Sequence, residues 1–248
     1  MYAYATAQNI GTRSHQCDAT AVRTGPDGTR AFALLDGIGS DDDIRDWTRA
    51  AARRLAGYAV RRGHAEEGLR TLHAVYAAEE DRQGPWNYAP CAAAVVAVAA
   101  PGKPLSVAWC GDSRAYLLGN GVARRLTEDH NLRRVWPPTA HRPDGGNRNR
   151  ITSCLGSSST DESTKNRYGH PAIEAAVIPL TGPCRLLLAS DGAYEPHTDA
   201  GYDVYTEADD DDLKAAATGF VEVAVAAALA ADPTHADNAT ALVADLTP

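Results

Sequence analysis

Basic charge is in deficit in this sequence. Lysine and arginine number 24 against 32 acidic residues, giving a net charge of -8 and a pI near 5.4. That balance argues against nucleic-acid binding, because phosphate backbones recruit a surplus of Lys and Arg. Cysteine is sparse too. The five cysteines, at 17, 91, 110, 154 and 184, stand singly with no C-x-x-C pair, so neither a disulfide framework nor a structural zinc site is expected. The eight histidines form no i, i+4 pair and no H-E-x-x-H. Long hydrophobic runs are missing, since no window approaches the ~18 apolar residues of a membrane helix. The N-terminal stretch has no charged-then-apolar signal pattern, so we expect a cytoplasmic protein with no membrane partner. Without internal repeats or a Pro/Gly/Ser-rich linker, the 248 residues read as one domain, 1–248.

What is present is an ordinary globular composition, 44% hydrophobic and 23% charged. Asp41 to Asp43 supply a helix start, and Ile44, Trp47, Ala51, Leu55 and Tyr58 recur at helical spacing through Arg62. A second helix is expected over 65–82. The runs at 91–100 and 105–110, separated by Pro-Gly-Lys-Pro, read as buried strands, as do 113–118 and 185–190. A C-terminal helix over 212–231 precedes a closing strand at 239–246. Between these lies a polar tract, 131–169, long enough to predict a functional flap. The acidic run 207–214 lacks the glycine of a calcium loop and reads as a solvated helix start. Hairpin turns throughout point to antiparallel sheet with helices packed outside.

Chemistry concentrates at the ends of the apolar runs. Asp36 in "LLDGIGS" and Asp191 in "LLLASDGAYE" each follow a buried strand and precede glycine, and Asp237 precedes Asn238 and the closing strand. Asp-Gly is also a common turn signal. Ionised carboxylates gathered in a low-dielectric site repel one another unless a hard divalent cation lies between them, and oxygen-only ligands select Mg²⁺ or Mn²⁺.

These segments resemble, in order, those of the metal-dependent protein Ser/Thr phosphatases of the protein phosphatase 2C type, in its bacterial form. "TRSHQCDA", "LLDGIGS", "CGDSRAYLL", "LTEDHNL", "ITSCLG", "LLLASDGAYE" and "DNATALV" all fall in family order. The resemblance implies an α+β fold, a four-layer α-β-β-α sandwich of two antiparallel sheets flanked by helices. It implies hydrolysis of phosphoserine and phosphothreonine in proteins at a binuclear Mn²⁺ or Mg²⁺ centre, with substrates drawn from a Ser/Thr kinase system, the kinase itself included. Carried onto this sequence, Asp36 bridges two ions, the Gly37 carbonyl binds one, and Asp191 and Asp237 complete the other's shell. Arg13 holds the substrate phosphate and Asp18 orients water. Asp129 and Glu195 hold a third, weaker ion, and the alternative for Asp129 is a helix cap. Asp112 and Arg114 are expected to fix a turn beside the site.

Several positions depart from the family pattern. Cys17 stands where the family has a polar oxygen-bearing residue, Ile38 stands where some relatives carry a histidine, and Ser40 replaces the motif's last glycine. "ITSCLG" also lacks an arginine after Ile-Thr. A catalytically weak, phosphoprotein-binding relative is therefore the alternative function. The Cys17 to Arg23 spacing also fits a cysteine-dependent phosphatase loop, though its intervening residues contain no glycine and read as strand.

Overall fold

A computed structural model describes residues 2–83 and 89–248. In chain order the elements are β1 Tyr4–Asn9, β2 Asp18–Thr24, β3 Arg30–Gly37, α1 Asp42–Arg62, α2 Ala65–Ala77, β4 Ala92–Ala99, β5 Leu105–Cys110, β6 Arg114–Gly119 and β7 Val122–Arg125. Then follow α3 Leu132–Val135, α4 Asp161–Tyr168, β8 Glu174–Ile178, β9 Cys184–Ala189, α5 Asp191–Ala200, α6 Val204–Ala208, α7 Leu213–Ala231 and β10 Ala239–Leu246.

Two five-stranded sheets run in the orders β1-β10-β9-β6-β7 and β2-β3-β4-β5-β8, with antiparallel pairing throughout the described ladders. The inner strands β3, β4, β5, β9 and β10 lack the polar-apolar alternation of a one-sided sheet because both of their faces are covered. In β3, Phe32 and Leu34 enter the core between the sheets with Val95, Val107, Leu188 and Leu242, while Ala33 and Leu35 face the layer under α1 and α2. The other sheet buries Leu187, Ala189 and Val243 beneath α5 and α7. The result is the α-β-β-α sandwich.

Helix α1 starts where Asp41 Oδ1 accepts the Ile44 N–H at 2.8 Å and ends at Gly63, left-handed at φ 63°. Its buried face, Thr48, Ala51, Ala52, Leu55, Ala56 and Ala59, recurs every three or four residues. Helix α2 is shorter than expected and stops at Ala77, with a separate 3-10 turn at Glu80–Arg82.

One expectation needs correction. Helix α7 is long and apolar enough, by length and composition, to cross a membrane, with a mean hydropathy of 1.6 over 19 residues. Here its alanines permit close packing, and Ala216, Ala217, Phe220 and Val221 lie in the core, with the helix packed against β1 and β10. The polar tract 131–169 is also less irregular than its composition implies. Thr160 and Ser163 form a reciprocal cap at the start of α4, and Asp161 accepts from Arg70 Nη1 at 2.8 Å, tying the tract to α2. The acidic run behaves as expected, with Asp212 capping α7 through the Ala215 N–H.

Candidate metal-binding site

The register of the first hairpin starts the site. Asp18 and Asp36 are direct cross-strand partners at the open end of β2 and β3. Asp191 begins α5 immediately after β9, and Asp237 lies just before β10, the neighbour of β9 in the other sheet. Gly192 makes that approach possible, because a Cβ there would come within 2.2 Å of the Asn238 carbonyl oxygen. Gly37 is under a similar constraint, since its Cβ would lie 2.6 Å from both Cys17 O and Thr48 Oγ1. These are close approaches that only glycine permits.

Arg13, Asp36, Gly37, Asp191 and Asp237 line one cavity of about 230 Å³ with Asp112, Ala93 and Ile151. Arg13 Nη2 donates to Asp237 Oδ2 at 2.7 Å, and the Arg13 Nε is buried with no protein acceptor. Asp237 Oδ1 accepts the Asn238 N–H at 2.7 Å, and Asp191 Oδ1 accepts the Gly192 N–H at 2.6 Å. Deeper in the protein, Asp18 is 1% exposed. Its Oδ2 accepts from Ser190 Oγ at 2.9 Å while Oδ1 has no partner.

Electrostatically the group is frustrated. Burial, and then the neighbouring carboxylates, push Asp18 up to about 8. Burial followed by Asp191 raises both Asp36 and Asp112 well above the carboxylate range, and burial followed by Asp237 raises Asp191. Each carboxylate therefore pays for the charge of the others, and Arg13 is the cation that Asp36, Asp191 and Asp237 face. An oxygen-only donor set, a buried unpartnered carboxylate oxygen and mutual repulsion fit a hard divalent cation. The arrangement is an open basin rather than a finished cage. Among the described residues, no three His, Cys, Asp or Glu side chains already stand as a coordination group.

Asp129 and Glu195 lie outside that cavity. Both Asp129 oxygens are taken by Arg114, from Nε at 2.8 Å and Nη2 at 2.7 Å, and the guanidinium lies over the Tyr194 ring at 3.7 Å. Glu195 pairs with Arg148 Nε at 3.0 Å, and burial then Asp191 raise its carboxyl to about 7. Arg148 comes from the 131–169 tract and also holds Asp199 with both terminal nitrogens, at 2.7 and 2.6 Å. Arg114 thus ties β6 to the loop before α3. Asp112 does more than fix a turn: it is 4% exposed and shares the cavity with Asp36 and Asp191. A signal for it was present, because Gly-Asp follows the apolar run "LSVAWC" much as Asp-Gly follows the others.

Cys17 is turned away from this chemistry. It precedes a regular strand rather than a phosphate-cradling loop, its Sγ lies 3.7 Å from Asp41 O, and burial raises its thiol. Its N–H donates to Asn238 Oδ1 at 2.7 Å, so the residue fixes the hairpin against β10.

Residues 45–134 match the family described as Protein phosphatase 2C. The whole fold is shared with solved bacterial phosphatases. A serine/threonine phosphatase of S. agalactiae superposes with a TM-score of 0.75 at 18% identity, covering 98% of this chain and 99% of that one. The match to the protein phosphatase 2C model takes in 90 of the 248 residues, and the likeness to the solved phosphatases is one of fold. The PPM Ser-Thr phosphatase MsPP of Mycobacterium smegmatis, solved with cacodylate, gives 0.72 at 24% identity over 98% of each chain. The PstP catalytic domain, solved with 2 manganese ions, gives 0.63 at 20% identity over 100% of this chain and 99% of that one. No curated protein matches the sequence. The stretch matched to the protein phosphatase 2C family contains Asp112 and Asp129 and begins after Asp36. The remaining carboxylates rest on the fold and on the geometry above.

Proposed function

We propose that this chain belongs to the protein phosphatase 2C family and hydrolyses phosphoserine and phosphothreonine in proteins, with Mn²⁺ or Mg²⁺ held at the carboxylate basin. The observation that carries this reading is the convergence of Asp36, Asp112, Asp191 and Asp237, from four separate segments, on one cavity beside Arg13. Asp36, the Gly37 carbonyl, Asp191 and Asp237 would hold two ions. Bound there, such cations supply the positive charge that activates water and offsets the phosphoryl oxygens.

The chain's own groups do the rest. Arg13, oriented by Asp237, presents its unpartnered Nε and the remainder of its fork to a phosphoryl group. Asp18 Oδ2 is fixed by Ser190, which leaves Oδ1 as an acceptor able to orient water. Ile38, 43% exposed at the cavity wall, offers no proton, so the leaving alkoxide takes one from water. Phosphate release from a phosphothreonine peptide, measured with Mn²⁺ and again with EDTA, tests the proposal. Activity that survives exhaustive chelation overturns it.

A further inference from the structure

A single pair of backbone hydrogen bonds joins the 131–169 tract to the start of β4. The Ala92 N–H donates to Leu155 O at 3.0 Å and the Leu155 N–H donates to Ala92 O at 2.9 Å. This antiparallel bridge sets Cys91 and Cys154 on a diagonal of one face, close enough for their thiols to interact. Arg82, 2% exposed, reinforces the junction. Its Nη1 donates to Pro90 O at 2.8 Å and to Gly156 O at 2.9 Å, one carbonyl from each side.

Cys17 and Cys110 are sealed in the core, whereas Cys91, Cys154 and Cys184 are only partly buried, and of these three Cys91 and Cys154 stand together at the bridge. The interaction with Cys154 lowers the Cys91 thiol against the effect of burial, with the Arg82 charge assisting. The same interaction, followed by burial, raises Cys154. Cys91 is therefore the more readily ionised thiol of the pair.

We propose that Cys91 and Cys154 form an oxidation site, a dithiol that a peroxide converts into a disulfide linking the 131–169 tract to β4. The Cys91 thiolate attacks one peroxide oxygen, an S–O bond forms as the O–O bond breaks, and the departing hydroxide takes up a proton. Cys154 sulfur then displaces the sulfenic oxygen, which leaves as a second water, while the Cys154 proton is passed to it. Two thiols lose two electrons and one peroxide becomes two waters.

The bond falls on the walls of the carboxylate cavity. Cys91 O accepts the Ile38 N–H at 3.0 Å, and both Ile38 and Ile151, the latter three residues before Cys154, line the cavity with Asp36. Oxidation therefore pins one wall to the other and slows turnover. That effect on turnover rests on the phosphatase reading, whereas formation of the bond does not.

The test treats the reduced full chain with one equivalent of hydrogen peroxide, blocks free thiols, and maps peptides by mass spectrometry. The expected product is a peptide pair joined through Cys91 and Cys154, lighter by two hydrogens, reversed by dithiothreitol, and absent from Cys91→Ser and Cys154→Ser. Mn²⁺-dependent turnover should fall at least twofold on oxidation, recover on reduction, and stay unaffected in Cys91→Ser. Free thiols, separate sulfinic acids, or pairing with Cys110 or Cys184 overturn the site. Equal loss of turnover in wild type and Cys91→Ser overturns its effect on the cavity. Cross-linking in a protein without turnover supports the site and counts against the phosphatase reading alone.

Discussion

Asp18 and Asp36 face each other across the first hairpin, and burial together with the charge of neighbouring carboxylates pushes both carboxyls upward. A pair so placed opposes folding of the metal-free chain and favours any cation that binds only the folded form. Asp36→Asn should therefore raise the thermal midpoint of the EDTA-treated protein, by about 2–4 °C for each kcal/mol of repulsion relieved. It should also abolish turnover and the stabilisation by Mn²⁺, which for wild type reaches about 2.7 kcal/mol at a hundredfold excess over the dissociation constant. Thermal melts with and without Mn²⁺ check both halves. A variant less stable than wild type in EDTA would show that Asp36 supports the fold directly.

Arg13 is divided between Asp237 and whatever anion enters the cavity. Removing it deletes a charged hydrogen bond to substrate, so Arg13→Ala should raise KM by more than tenfold, about 1.5–3 kcal/mol. Arg13→Lys should recover only part of this, because an ammonium cannot hold Asp237 and a phosphoryl oxygen in one planar fork. Steady-state kinetics at saturating Mn²⁺ separate the two variants. An unchanged KM in Arg13→Ala removes the residue from substrate binding.

Much of this arrangement was legible in the sequence, for physical reasons that differ by element. Strands β3, β4, β5, β9 and β10 were readable because a strand covered on both faces is apolar throughout, and Asp36 and Asp191 stood out as charges ending such runs. Asp112 was missed because Gly-Asp-Ser-Arg has a sufficient local explanation as a turn, and only the fold shows its side chain in the cavity with Asp36. Helix α4 was hidden because only Thr164 of it is buried, leaving its polar cap as the sole signal. The apolar length of α7 was underestimated instead, since alanine close-packed on a sheet makes a helix as apolar as a membrane span. Pairing of Asp129 with Arg114 lay outside what spacing can show, because it depends on where β6 and the following loop cross.

Acid stability should report a second buried network. Burial opposes ionisation of Glu174, yet hydrogen bonds from His130 and Arg134 prevail and draw it from 4.5 down to about 2. Burial keeps His130 neutral despite Glu174, so with Gly111 N–H directed at Nδ1 the ring proton sits on Nε2, which donates to Glu174 at 2.8 Å. A carboxyl depressed in the folded state contributes stability above its unfolded pKa and loses it as pH falls through the folded one. The stability gap between wild type and Glu174→Gln should be full above about pH 5 and close progressively towards pH 2. Urea midpoints across that range test it, and a gap that widens on acidification reverses the sign and removes Glu174 from the network.

Asp129 distinguishes a buried ion pair from a third metal site. Its pair with Arg114 is well shielded, at 14% and 15% side-chain exposure, and Arg114 also donates to Tyr116 Oη at 3.1 Å. Removing one partner of a shielded pair strands the other charge, so Asp129→Asn should cost about 3 kcal/mol, the lower end for a buried pair because some solvent reaches this one. The Mn²⁺-dependent rise in thermal midpoint and the metal concentration for half-maximal turnover should then match wild type, since the Asp36 basin is untouched. If Asp129 instead holds a third, weakly bound ion, the opposite pattern follows. Folding stability in EDTA would be preserved and turnover would fall steeply at low Mn²⁺. Paired melts and metal titrations of the one variant decide between these outcomes, because an ion pair is felt with or without metal and a ligand only with it.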